Sequence, residues 1–305
     1  MRHILSAQQY KVEDLNRLFI QADKLRSVRS LPDHHGKIVA TLFFEPSTRT
    51  RLSFESAALR LGAGVIGTEN GAEFSSSVKG ETIEDTVKVV ANYADVIVIR
   101  HPLTGTADRA AKLNCVPIIN AGDGAAGEHP TQALLDLYTM QHELANFEKS
   151  VVVFAGDLKH YRATRSLATL LSLYPNIRLR FVSPKDLRMD TAVTKLLSER
   201  GVEYEETTEL QDALPGADVA YVTRIPKEYF PSIKEYEKYK GVYKFTDQTL
   251  RLLKPESLIM HPLPRVDEID SSIDDDPRAA YFRQVGNGLY IRMALLDEIL
   301  SGREK

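Results

Sequence analysis

Short apolar, β-branched runs alternate with helix-spaced apolar patterns along the whole chain, and this alternation leaves few folds open. KIVATLFF, ADVIVIR, SVVVFAG, IRLRFVS, ADVAYVT and SLIMHPL read as strands buried on both faces. Between them, RLSFESAALRLG, ETIEDTVKVVANY, TQALLDLYTMQHEL, TRSLATLLSLY and DTAVTKLLSER repeat apolar residues at helical spacing. Strand, helix and strand in succession build a parallel sheet with helices on its faces. At 305 residues the chain exceeds the usual span of one hydrophobic core. The expected fold is therefore α/β, with two domains, each a mainly parallel sheet flanked by helices. The helix opening at Pro130, a residue suited to a first helical turn, marks the division, which falls within or after it. The bounds adopted are 1–130 plus 284–305, and 131–283, although the last helical stretch could pack on either domain. The closing GLYIRMALLDEIL, after Gly286 and Gly288, reads as one more helix with an apolar face to cover.

Several classes of function drop out on composition alone. No apolar run is long enough to cross a bilayer, and the opening MRHILSAQQYKVEDL lacks the apolar core of a signal peptide. The one cysteine, Cys115, leaves no internal disulfide and no cysteine-based zinc site, and it reads as a small buried hydrophobe. No ligand cluster stands out, so neither a metal nor an organic cofactor is expected. A formal net charge of −3 without a basic, aromatic-laced stripe argues against nucleic acid. The expectation is a cytoplasmic globular protein with neither membrane nor nucleic-acid partner. Asp274, Asp275 and Asp276 read as solvated loop.

In open parallel sheets, ligands gather beyond the carboxyl ends of the strands. The segments just past the strands are polar here: EPSTRTR, then RHP, GDLKHYR, TRIPKE and HPLPR. Arginine or histidine recurs at these ends, where packing asks for neither. Cations concentrated on a mildly acidic chain point to anionic ligands, and to an enzyme.

FFEPSTRTRLSFES, residues 43–56, is the most informative of these segments. A helix start offers unpaired backbone N–H groups and a positive dipole end, which suit a phosphate. Ser47, Thr48 and Thr50 add hydroxyl donors, and Arg49 adds a planar fork for phosphate oxygens. A plain N-cap would explain a lone Ser-Thr pair. Two arginines among three hydroxyls in five residues exceed that need, although Arg51 reads as a helix-surface or structural arginine.

The S-T-R-T-R segment behind a strand resembles the carbamoyl-phosphate site of the aspartate and ornithine carbamoyltransferases. The resemblance runs over essentially the whole chain, with motifs in the same order. It implies that Ser47, Thr48, Arg49 and Thr50 hold the phosphate, with the threonine also reaching the carbonyl oxygen. EFSSSVKGETIEDT, residues 73–86, reads by itself as a solvated loop, yet it is similar to that family's swinging loop. By that likeness Ser75 and Lys79 reach a neighbouring subunit's site, in a homotrimer with shared active sites whose lone subunits are nearly inactive. Arg100 in RHP, taken singly, reads equally well as a surface arginine. Within the resemblance it contacts phosphate and carbonyl oxygen. His129 and Gln132 in HPTQ correspond to the residues that bond the carbamoyl oxygen and orient the carbamoyl NH2. Pro262 and Leu263 in HPLPR offer backbone carbonyls to the carbamoyl nitrogen, or form only a structural turn, and Arg265 reads as structural. Arg162 and Arg224, with Lys79, resemble the groups that hold the two carboxylates of aspartate, and Glu45 one that bridges to Arg162.

The residues 1–130 plus 284–305 would then bind carbamoyl phosphate and 131–283 would bind aspartate. Arg49, Thr50, Lys79, Arg100 and His129 would carry the transfer, the committed step of de novo pyrimidine synthesis. HPLPRVDEI and EPSTRTR fit the aspartate branch of the family. Ala163, where a threonine is common, and Pro226, where some members have glutamine, depart from its pattern on the aspartate side. Another carbamoyltransferase, acting on ornithine or a modified substrate, is the runner-up, a non-catalytic paralogue the next, and a generic phosphate- or nucleic-acid-binding module the last. The sequence leaves room for regulatory chains as partners.

Overall fold

A computed structural model of the chain describes residues 2–28, 30–70, 80–227 and 230–302. It divides into two compact units, Met1–Leu135 with Gly286–Lys305, and Asp136–Val285. Each unit is built on a sheet that is parallel throughout, as the alternation of strands and helices requires.

In the first unit, β1 (Ile38–Phe43), β2 (Gly64–Thr68), β3 (Val96–His101) and β4 (Ile118–Asp123) lie in the order β2-β1-β3-β4. Helices α1 (Val12–Ser27), α2 (Thr48–Arg60), α3 (Ile83–Val90) and α4 (Thr106–Lys112) accompany them. One side of the core joins Ala40 and Leu42 of β1 and Ile97 and Ile99 of β3 to Val87, Ala107 and Ala110 of the helices. Each fully buried Ile, Leu or Val of this kind contributes about 1.5–3 kcal/mol. Helix α5 (Pro130–Glu143) starts in this unit and ends in the next.

In the second unit, β5 (Val151–Ala155), β6 (Arg178–Val182), β7 (Glu203–Thr207), β8 (Val219–Val222) and β9 (Leu258–Met260) lie in the order β7-β6-β5-β8-β9. Helices α6 (Arg162–Leu171), α7 (Thr191–Glu199), α8 (Leu210–Ala213), α9 (Ile233–Glu237) and α10 (Asp247–Leu250) follow its strands. Val153, Val222 and Ile259 pack there against Phe245, Leu250 and Tyr281. Both sheets reverse direction once: between β1 and β3 in the first, between β5 and β8 in the second. Such reversals open a crevice at the carboxyl edge because successive connections leave on opposite faces.

Three expectations need correction. The last helix, α11 (Tyr281–Leu300), begins before Gly286 and runs through both glycines. At Gly288 a Cβ would sit 2.9 Å from the Leu135 side chain, so close packing accounts for that glycine. Cys115 is exposed, not buried: it lies in the turn between α4 and β4, with its thiol directed at the Leu113 carbonyl. Connecting turns run over the surface because their backbone polar groups need partners there. The acidic loop is not simply solvated either. Asp274 pairs with Arg265 and Tyr281, and Asp276 holds Arg278 by two bonds of 2.8 Å. Among the described residues, no helix is long and apolar enough to cross a membrane.

Candidate active site

The first unit gathers one set of the singled-out residues at its sheet reversal. Beyond β1 the chain passes Glu45 and Pro46 and enters α2 at Ser47, whose side chain makes no capping bond. The hydroxyl therefore does not serve the simple capping role. Thr48, Arg49 and Thr50 form the first helical turn; Arg49 is exposed while Thr50 is 6% exposed. Arg51 points elsewhere: its Nε donates to Glu55 at 2.7 Å and its NH1 to Glu69 at 2.6 Å.

Arg100 sits across the reversal, at the end of β3 and in register with Phe43. Its NH2 donates to Glu45 Oε1 at 2.8 Å and its NH1 to the Ala121 carbonyl at 3.3 Å. The pairing fixes the guanidinium plane between the ends of β1 and β4. Sequence reasoning did not assign Glu45 to Arg100; two charged residues beyond neighbouring strands were the available signal. His129 comes after the loop beyond β4 and is 7% exposed. Its carbonyl accepts from Gln132 N at 3.1 Å and Ala133 N at 3.2 Å, so it sits at the cap position just ahead of Pro130, the first residue of α5. Gln132, partly buried, is one turn further on. Three adjacent strands, β1, β3 and β4, thus deliver Ser47 to Thr50, Arg100 and His129 to one sheet edge. Ser75 and Lys79 lie outside the described residues.

The second unit repeats the plan with β5, β8 and β9. Thr223 N donates to the Ala155 carbonyl at 2.8 Å, so the segments leaving β5 and β8 stay side by side. Gly156, with φ +129°, passes so near Thr223 that a Cβ would collide with its carbonyl and hydroxyl. Only glycine meets both demands. Next, the fully buried Asp157 accepts from the backbone N–H of Lys159 (3.0 Å) and His160 (2.9 Å) and faces His160 Nδ1 at 2.9 Å. Arg165 NH1 donates to the Lys159 carbonyl at 2.6 Å. These contacts shape the loop that ends at Arg162, the first residue of α6. Arg224 leaves β8 immediately after Thr223, and both arginines are partly buried.

Pro262 and Leu263 lie just past β9 and are held by His261 and Glu268. Leu263 N–H donates to His261 Nδ1 at 2.7 Å, which places the ring hydrogen on Nε2, 2.8 Å from Glu268 Oε1. Burial pushes the Glu268 carboxyl up, yet the hydrogen bond from His261 and those from the backbone outweigh it, and the net shift is downward. The His261 backbone N–H donates to Gln284 Oε1, Gln284 Nε2 donates to Asp136, and the Tyr221 hydroxyl donates to Asp136 at 2.6 Å. Burial, then the charge of Asp136, holds the Tyr221 hydroxyl well above its ordinary pKa. Arg265, paired with Asp274 and lying over the Tyr281 ring, is a support of this loop. Among the described residues, no group of three or more His, Cys, Asp or Glu is arranged to hold a metal ion.

Arginines, hydroxyls and a helix start at one sheet edge suit a phosphorylated ligand. Two arginines at the other suit carboxylates. Comparison with known proteins points the same way. The carbamoyl-P binding domain of the aspartate/ornithine carbamoyltransferases matches residues 2–142, and their Asp/Orn binding domain matches residues 148–299. Aspartate carbamoyltransferase 1, chloroplastic, of Pisum sativum is 47% identical over 304 residues, covering 98% of this chain and 78% of that protein. The catalytic subunit of M. jannaschii aspartate transcarbamoylase superposes with a TM-score of 0.91 at 45% identity, over 99% of both chains. Aspartate transcarbamoylase from Trypanosoma cruzi, solved with carbamoyl phosphate and aspartate, gives a TM-score of 0.90 at 37% identity, over 97% of this chain and 95% of that one. The chain belongs to the aspartate/ornithine carbamoyltransferase family.

Proposed function

We propose that this protein is an aspartate carbamoyltransferase. It moves the carbamoyl group of carbamoyl phosphate to the amine of L-aspartate, giving N-carbamoyl-L-aspartate and phosphate, the committed step of de novo pyrimidine synthesis. The observation that carries the reading is the placement of Ser47–Thr50 and Arg100 at one sheet reversal and of Arg162 and Arg224 at the other.

In this reading the phosphate is held by the start of α2 and by Arg49 and Arg100. Thr50, Arg100 and His129 polarise the carbamoyl carbonyl, while Gln132 and the carbonyls of Pro262 and Leu263 orient its NH2. Arg162, Arg224 and Lys79 bind the two carboxylates of aspartate. The neutral amine attacks the carbonyl carbon, and the same three donors stabilise the resulting oxyanion. Collapse of the tetrahedral intermediate breaks the C–O bond to phosphate, and the departing phosphate takes the amine proton. Removing one such donor typically costs roughly 3 kcal/mol of barrier.

Residues 1–130 with 284–305 serve as the donor domain and 131–283 as the acceptor domain, a reading supported by the two compact units, whose bounds lie within a few residues of these. The protein works as a homotrimer in the cytoplasm, with Ser75 and Lys79 completing a neighbour's site and regulatory chains as candidate partners. The family resemblance of EFSSSVKGETIEDT supports the shared site, and a chain with one cysteine suits a reducing compartment. The purified protein, given carbamoyl phosphate and L-aspartate, should release one phosphate for each carbamoyl aspartate formed. Phosphate release without that product would refute the assignment.

A further inference from the structure

We propose that Glu128 is a positioning residue for the reaction, acting through His129, and that residues 3–7 form the strap against which it is held. The inference rests on the reading of His129 as a donor to the carbamoyl oxygen. Strand β4 is the edge of the first sheet, and the N-terminal segment lies along it. Ile4 N donates to the Ile118 carbonyl at 2.8 Å, and Asn120 N donates to the Ile4 carbonyl at 2.8 Å. Ile118 N donates to His3 Nδ1 at 3.1 Å. From this strap Ser6 Oγ donates to Glu128 Oε1 at 2.6 Å, and Ala7 N donates to Glu128 Oε2 at 2.7 Å. Both carboxylate oxygens are thereby engaged.

The backbone of Glu128 is fixed as well. Its N–H donates to Asp123 Oδ1 at 3.3 Å, and its carbonyl accepts from Asp123 N at 3.3 Å. Asp123 is 4% exposed, and its Oδ2 accepts from Gly105 N at 2.8 Å in the turn beyond Arg100. Asn120 Nδ2 joins the two layers, donating to Asp123 Oδ1 at 3.1 Å and to the Leu5 carbonyl at 2.9 Å. The residue before His129 is thus clamped from its side chain and its backbone. The same carboxylate hub ties the segment after β4 to the one after β3.

An acidic side chain next to a histidine that serves a dianionic donor would oppose binding if its charge faced the donor. Here the charge is directed to Ser6 and Ala7, so Glu128 can grip without entering the donor's field. A displacement near 1 Å in such a donor can cost about a hundredfold in rate. Turnover, more than donor binding, should therefore feel the loss of the grip.

The test is a kinetic cycle on the intact chain with Glu128→Ala, Glu128→Gln, Ser6→Ala, His129→Ala and the Glu128→Ala/His129→Ala pair, with Tm measured for each. Glu128→Ala should lower kcat about 10- to 100-fold with little change in KM for carbamoyl phosphate. Glu128→Gln keeps an acceptor and should recover most of the loss, and Ser6→Ala should show a smaller drop in the same direction. With His129→Ala already present, removing Glu128 should lower kcat no further. Wild-type kcat in Glu128→Ala, or an equal loss with and without His129, overturns the proposal alone. Wild-type kcat in His129→Ala overturns the underlying reading of the histidine, and the proposal with it.

Discussion

Arg224 leaves its strand one residue after Thr223, where backbone bonds to β5 hold the segment still. A guanidinium in that position can meet a carboxylate with two parallel bonds, which an ammonium cannot copy. Arg224→Lys should therefore raise KM for aspartate about tenfold or more while leaving KM for carbamoyl phosphate near wild type. Steady-state kinetics with each substrate varied in turn separates the two. Glu268 carries a different expectation. Its carboxyl is held below its ordinary value of 4.5, the net result of hydrogen bonds winning over burial. A carboxyl depressed on folding adds stability that is complete above 4.5 and is lost as pH falls through its lower folded value. Glu268→Gln should therefore flatten the acid limb of the stability curve relative to wild type, as read by denaturant unfolding at several acid pH values. An unchanged limb would detach Glu268 from acid stability.

At the scale of elements, legibility followed burial. Strands β1, β3, β5 and β8 were readable because both of their faces are apolar. Edge strand β7, with sequence EYEET, was not, because its side chains face water and its polarity copies a loop. Strand β2 is short and carries two glycines, and β4 ends in the polar run NAGD. The arginines and the histidine of the candidate site were legible as cations placed where packing wants none. Their anionic supports were harder to read. Glu45, Asp123, Asp157 and Glu268 each act through backbone or side-chain geometry that no linear spacing displays. The Gly-Asp pairs closing β4 and β5 hinted at Asp123 and Asp157, since aspartate after glycine commonly folds a turn onto its own backbone.

The whole molecule is two sheets that present cations at their reversals. A dianionic donor and a dicarboxylic acceptor need that charge, and a formal net charge of −3 shows it is local rather than global. If Lys79 serves a neighbouring subunit, Lys79→Ala and His129→Ala chains, each nearly inactive alone, should regain part of the activity when dissociated and mixed. No recovery would place Lys79 in its own chain's site. The most direct measurement offers aspartate and ornithine in parallel to the purified protein with carbamoyl phosphate. The account predicts carbamoyl aspartate as the product, with no citrulline, and loss of that activity on removing either Arg162 or Arg224. Carbamoyl transfer to ornithine at a rate equal to or above that for aspartate would contradict it.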